Sequence, residues 1–383
     1  MTRKLMLIGM TVVMLAGCAG TTGTVEEAKP AAPIEDAEPA EMAEPAEVAE
    51  AAEIGAWGVD LSARDTSVDP GNDFNEYANG AWMDEYEIPP DLSRYGAFIQ
   101  LRLDAESDVR EIVEELAAKE APKGTLEQKV GDFYESWMDV ETLDRLGAEP
   151  LRPHLERIDA IEDHEGVTRE FASLHNTAPF GIGIIPDPAD TTRYIAFVGQ
   201  SGLGMPNRDY YLEDDERFVE YREAYRDYIT TILGLAGIES SDEKADRIIE
   251  LETRLAEVHW TPEDSRDIQK IYNPMSPEQV AELAPEIDWN LVFHELDLED
   301  IDTFVVAQTT AIDDAAEIFA NAPVDLWKEY LAFHFIRRHA QYLSTAFDDA
   351  HYEFYSKTLR GTEEQRERWK RGVQLINANL GEA

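Results

Sequence analysis

The sequence predicts a mainly α-helical, multi-helix lobe with one small β-hairpin or sheet, preceded by a signal peptide and a disordered linker. Three observations predict it. Most of the chain repeats apolar residues at helical spacing. Only one stretch, residues 180–198, alternates or runs apolar as a pair of strands does. Residues 19–56 are rich in Ala, Pro and Glu and too poor in large apolar side chains to offset the entropy of ordering. The expected organisation is a signal peptide over 1–18, a linker over 19–56 and one folded domain over 57–383.

At the N-terminus, Arg3 and Lys4 precede an apolar run of 13 residues, Leu5 to Gly17. That run is too short to span a bilayer and suits a signal-peptide core. It ends Leu15-Ala16-Gly17-Cys18, which resembles the bacterial lipobox. In that signal the cysteine thiol is acylated and becomes the new N-terminus, and several acyl chains hold the protein to a membrane. The expectation is a lipid anchor on Cys18 in a bacterial cell envelope. Ala19, where an inner-membrane retention signal more often has Asp, favours the outer membrane, facing the periplasm or the exterior. Cys18 is the only cysteine, so no disulfide can form within the chain. The linker holds ten acids and one lysine and reads as a stiffened, self-repelling tether.

The folded part is taken in order. Asp73 can cap a short helix carrying Phe74, Tyr77 and Trp82, with Asn79-Gly80 as its stop. A long helix is expected from about Ser93 to Lys119, with Phe98, Leu101, Ala105, Val109, Ile112 and Leu116 facing the core. Thr125 to Gln128 looks like a capping box. The helix it opens carries Val130, Phe133, Tyr134, Trp137 and Met138. Further helices are expected over 144–161, interrupted by prolines, and over 164–175. Residues 180–185 and 193–198 form the hairpin. A Gly-rich loop, 200–211, leads to helices over 214–236 and 241–259. Short elements follow Ser276-Pro277 and Trp289, and 301–306 could add a strand. A long helix over 324–347 and a last one capped at Thr362 complete the expectation.

Charge excludes some partners. With 33 Lys+Arg against 80 Asp+Glu, the chain carries −47, and its field would repel nucleic acid. Catalytic motifs are also missing. His164-Glu165 and His294-Glu295 each begin a possible H-E-x-x-H zinc motif, but residues 168 and 298 are Thr and Leu. His334 and His339 are five apart and diverge around a helix. No zinc site and no catalytic residue is expected in this chain. There is no G-x-S-x-G elbow. The G-x-G of the Gly-rich loop has neither the Lys-Ser/Thr of a phosphate loop nor a strand–helix setting.

Two arginines remain. Arg94 and Arg102 are eight residues apart, a little over two helical turns, and on one helix they would share a face about 12 Å apart. Guanidinium groups recognise carboxylates bidentately. Either these two receive a peptide carboxylate, or they pair with two of the chain's many acids.

Several ordered motifs bear on that choice. Val59 to Trp82 reads V-D-x-S-x-x-D-x-S-V-D-P-G-N-D-F-x-x-Y-x-N-G-x-W. Ser93-Arg94-Tyr95-Gly96, Phe133-Tyr134 with Trp137-Met138, Leu203 to Tyr211, Tyr272 to Met275, and Gly361-Thr362 onward follow it. In this order they resemble the start of neprilysin-like zinc metallopeptidases, over roughly residues 57–383. The resemblance implies a helical N-terminal lobe that caps a thermolysin-like catalytic lobe and limits substrates to short peptides. It implies zinc in that catalytic lobe, whose H-E-x-x-H and downstream Glu have no counterpart here. It also implies that Arg94 and Arg102 meet the substrate carboxylate. Ala97 departs from the Asn that relatives often carry. The expectation is the capping part of a membrane-anchored zinc metalloendopeptidase, inactive as this piece, with the catalytic lobe as its missing partner. The alternative is a stand-alone peptide-binding lipoprotein or pseudoenzyme.

Overall fold

Helical periodicity dominates the structure as it dominates the sequence: 16 α-helices and one four-stranded sheet among the described residues. The computed structural model describes residues 61–173 and 176–381. The signal peptide, the linker and Cys18 lie outside the described residues. The described residues divide into two compact units, one up to Ile88 and one from Pro89 onward.

In the first unit, the Asp73 carboxylate accepts from the Glu76 N–H at 2.9 Å and starts helix Phe74–Glu85. The stop expected at Asn79-Gly80 does not occur. The Asn79 amide bonds back to Asn75 within the helix, and Gly80 is buried in it, so the chain stays helical. Phe74 and Met83 remain exposed.

The core of the second unit is built on three helices. Glu216–Leu235 contributes Tyr225, Tyr228, Ile229 and Ile232. Ser241–Val258 contributes Ile248, Leu251, Glu252 and Leu255. Val324–His339 contributes Trp327, Tyr330, Phe333 and His334. Their spacing of three and four residues puts each set on one face. The expected hairpin is present as β1 (Phe180–Asp187) and β2 (Asp190–Gln200). Two further strands, β3 (Pro274–Met275) and β4 (Phe304–Val306), extend it in the order β1-β2-β4-β3. β2 and β4 run parallel, and β3 and β4 antiparallel. At the hairpin turn the Asp187 carboxylate is enclosed by the Ala189 N–H, Arg193 and the Tyr272 hydroxyl at 2.8, 2.8 and 2.9 Å. A smaller cluster (Val113, Val130, Tyr134 and Ile376) joins helices Ala97–Ala117, Leu126–Met138 and Arg368–Leu380.

Four expectations are corrected. The helix expected from Ser93 begins at Ala97, so Arg94 precedes it, and the two arginines do not share a helix face. Its buried side carries Glu106 and Val113, while Phe98 and Leu101 are 87% and 64% exposed. The reason is polar: Arg366 and Gln374 draw the Glu106 carboxylate inward. The helix expected over 324–347 breaks after His339, and a new helix, Thr345–Tyr352, starts where Asp144 accepts from the Thr345 N–H at 2.7 Å. That cap comes from a carboxylate 201 residues away. Thr362 does not cap the last helix, which starts at Arg368. Its carbonyl instead accepts from the Tyr352 hydroxyl, and the following residues bond to Pro90 and Asp348. Among the longer helices, one was not anticipated. Thr309–Asn321 buries Ala311, Ala315 and Ala316 beside Ile312 and Phe319, and its alanines make a faint stripe.

The C-terminal helix lies close to Trp137, whose indole N–H donates to the Arg368 carbonyl at 2.9 Å. A Cβ at Gly372 would come 2.7 Å from that indole. Gly372→Ala should therefore cost about 1–3 kcal/mol by overpacking, read as a lower urea midpoint with an unchanged slope.

Candidate functional site

A cavity of about 1130 Å3 opens in the second unit. It is large for a ligand site, which is commonly about 300–1,000 Å3. One wall is the stretch from Asp91 to Arg102. A second is the Gly-rich loop at Leu203–Pro206, and a third comes from Arg337 and residues 348–366. The first wall is fastened by the Glu364 N–H donating to the Pro90 carbonyl at 2.9 Å and by Lys370 on Asp91 at 3.3 Å.

Six arginines line this cavity against three acids (Asp91, Asp348 and Glu364), in a chain of net −47. Two of the six are matched internally. Arg366 holds buried Glu106 at 2.7 Å, and Arg371 holds Asp348 at 2.7 and 2.9 Å. The other four are matched weakly or not at all. Arg102 comes only within 3.8 Å of the Glu106 that Arg366 already occupies. Among the described residues, no carboxylate lies in ion-pair range of Arg94, Arg337 or Arg360. Arg94 and Arg102 thus share the cavity by a route other than the one expected, one from the loop and one from the helix.

The floor is held from beneath. Glu252 is fully buried and accepts from Tyr211 at 2.6 Å and Tyr225 at 2.9 Å, with His334 Nε2 at 2.7 Å. Burial pushes His334 down to about 4 against the pull of Glu252, so the imidazole is neutral and donates from Nε2. Tyr211 in turn accepts the N–H groups of Gly204 and Met205 at 3.1 and 2.9 Å. The Gly204 carbonyl accepts from Tyr355 at 2.9 Å and from Arg337 at 3.4 Å. Only glycine fits at 204, because a Cβ would fall 1.7 Å from the Tyr225 hydroxyl. The π-helical turn Glu353–Thr358 presents Tyr355 and Ser356 to the cavity.

Several of the described histidines are engaged elsewhere. His164 bonds to the Ala322 carbonyl, His259 to Ser201, His339 to Phe335 and His294 to Glu299. No group of three or more His, Cys, Asp or Glu side chains that could hold a metal ion occurs among the described residues. Sequence reasoning missed Arg337 and Arg360. The readable signal was an arginine closing the aromatic-rich run Phe333-His334-Phe335-Ile336.

Comparisons with known proteins agree with this architecture. A model for the N-terminal part of Peptidase family M13 matches residues 70–383. The chain is 26% identical to endothelin-converting enzyme-like 1 of Mus musculus over 343 residues, covering 84% of this chain and 44% of that protein. It is 27% identical to endothelin-converting enzyme 1 of Homo sapiens, covering 84% and 43%. The crystal structure of Mycobacterium tuberculosis zinc metalloprotease Zmp1 with an inhibitor superposes with a TM-score of 0.79 at 33% identity, covering 85% of this chain and 50% of that one. PepO from Lactobacillus rhamnosis shares the fold at a TM-score of 0.66 and 18% identity. The chain spans less than half the length of the curated relatives it matches.

Two outcomes follow from the floor. Glu252→Ala would strand three buried donors, and should lower stability by about 3 kcal/mol or more in urea unfolding. His259, His334 and His351 are each pushed down to about 4, by burial first. The unfolded chain, with histidines near 6.5, binds these protons first, so stability is full above about pH 6.5 and falls towards pH 4. Each imidazole can contribute at most about 3 kcal/mol across that window. Urea midpoints should already fall between pH 7 and 5, and a flat profile would contradict the buried neutral state.

Proposed function

This chain belongs to Peptidase family M13, and on that footing we propose that it is the substrate-capping lobe of a zinc metalloendopeptidase that hydrolyses short peptides. The observation that carries the reading is the arginine-lined cavity: uncommitted guanidinium groups in a chain of −47. A free peptide carboxylate is the complementary group, bound bidentately by a planar guanidinium. Arg94 and Arg102 would take the C-terminal carboxylate. The cavity would shield the peptide from water and limit its length. Phe98 and Leu101, exposed on the helix that carries Arg102, would be covered by the catalytic lobe of the whole protein.

The zinc chemistry is assigned to that catalytic lobe, because this sequence contains no H-E-x-x-H. The chain by itself should bind no stoichiometric zinc and cleave no peptide. Chelator-sensitive hydrolysis by the purified chain would overturn this. We further propose that Cys18 is acylated and tethers the lobe to the bacterial outer membrane. No helix among the described residues is long and apolar enough to cross a membrane. Cys18→Ser should abolish labelling by a fatty-acid probe and move the protein from the membrane to the soluble fraction.

The carboxylate role has a direct test. In calorimetric titrations, peptides with a free C-terminus should bind the full chain about tenfold more tightly than their amides, a gap of about 1.4 kcal/mol. Arg102→Gln should close most of that gap. Equal binding of acid and amide by the unmodified chain would sink the reading.

A further inference from the structure

Arg94 and Arg102 leave half of the uncommitted charge unexplained. Arg337 and Arg360 belong to other elements, the end of helix Val324–His339 and the segment after the π-helical turn. We propose that Arg337 and Arg360, with His351, form a second anion subsite that accepts the side-chain carboxylate of an Asp or Glu residue in a bound peptide. This rests on the peptide-binding reading above.

Arg337 is held in place without being neutralised. Its guanidinium donates to the Tyr355 hydroxyl at 3.3 Å and the Gly204 carbonyl at 3.4 Å, both uncharged. Its Nε is buried with no hydrogen-bond partner. A guanidinium removed from water and given no anion is costly, and an incoming carboxylate recovers part of that cost. Arg360 is exposed, lines the same cavity and makes no ion pair among the described residues.

His351 links the two. Its ring lies 4.7 Å from that of Tyr355, over which the Arg337 guanidinium sits at 5.8 Å, and it lines the same cavity as Arg360. Burial first, and then the charges of Arg337 and Arg360, push it down to about 4, so the imidazole is neutral. The Tyr228 hydroxyl sits 3.1 Å from its Nδ1. With that hydroxyl donating, the ring keeps its proton on Nε2, a further donor for an anion. Of the lining acids, Asp91 and Asp348 are taken by Lys370 and by Arg368 and Arg371, and Glu364 has no ion-pair partner among the described residues. A cavity of about 1130 Å3 has room for a peptide to reach both subsites.

The experiment is calorimetry on the full chain with amidated pentapeptides. Glu is moved through the three internal positions, each peptide against its Gln twin. At one position Glu should bind about tenfold more tightly. Arg360→Gln should erase that difference while keeping the preference for free acid over amide. Arg337→Gln should do the same, and Arg360, which makes no hydrogen bond or ion pair among the described residues, guards against misfolding of that variant. If no position separates Glu from Gln while free acids still win, the second subsite is wrong and the capping reading stands. If neither preference exists, both fall. A Glu preference that survives both variants overturns the residue assignment. Inorganic phosphate that binds at these arginines while Glu and Gln peptides bind alike would assign the site to a free anion and overturn the proposal.

Discussion

A carboxylate sealed from water, Glu252, is the constraint on which the cavity depends. Burying that charge is unfavourable unless donors surround it, and here three do. They come from three places: the turn at Asp209–Leu212 and helices Glu216–Leu235 and Val324–His339. None of these can shift without stranding a donor. The network then runs outward through Tyr211 to Gly204, and from the Gly204 carbonyl to Tyr355 and Arg337. A polar chain therefore connects the deepest point of the core to the cavity surface. Low dielectric strengthens each link and raises the penalty for breaking one.

Charge separates structural arginines from available ones. Many of the cations find carboxylate partners, as Arg157, Arg193, Arg226 and Arg247 do. Arg366 and Arg371 are spent, on Glu106 and Asp348; the first pair ties the segment before the C-terminal helix to helix Ala97–Ala117, and the second ties that helix to Thr345–Tyr352. The remaining four face the cavity. Walls of low dielectric focus their field, while the acidic exterior is screened within about 10 Å. An anionic ligand thus meets repulsion at a distance and attraction inside, which favours small ligands that enter over large acidic proteins that cannot.

Local rules made much of this fold legible. Asp73 caps as its position implies, Val130, Tyr134 and Trp137 are buried where their spacing puts them, and the hairpin at 180–198 forms. Three of the failures share a cause. The break before Thr345 depends on Asp144, the buried face of Ala97–Ala117 on Arg366, and the late start of the last helix on Pro90 and Asp348. Each is a polar contact between residues far apart in sequence, and no window of periodicity contains both partners. The cavity was half legible for the same reason. Arg94 and Arg102 stand near each other in sequence and read as a pair, whereas Arg337 and Arg360 gain meaning only when folding brings them to one cavity.

Two anion subsites would do what one cannot. A single clamp on a C-terminal carboxylate fixes one end of a peptide and leaves its register to the length of the chain. A second contact on a side chain makes the next binding event intramolecular, with an effective concentration set by the spacer between the two carboxylates. Peptides whose spacer matches the cavity gain most, and those that cannot span it gain nothing. The supports suit that division. Arg94 lies on an irregular segment fastened by Pro90 and Asp91, while Arg337 ends a helix anchored through His334 to Glu252. The buried network would hold one subsite rigid, and the spacing to the other would then read the peptide.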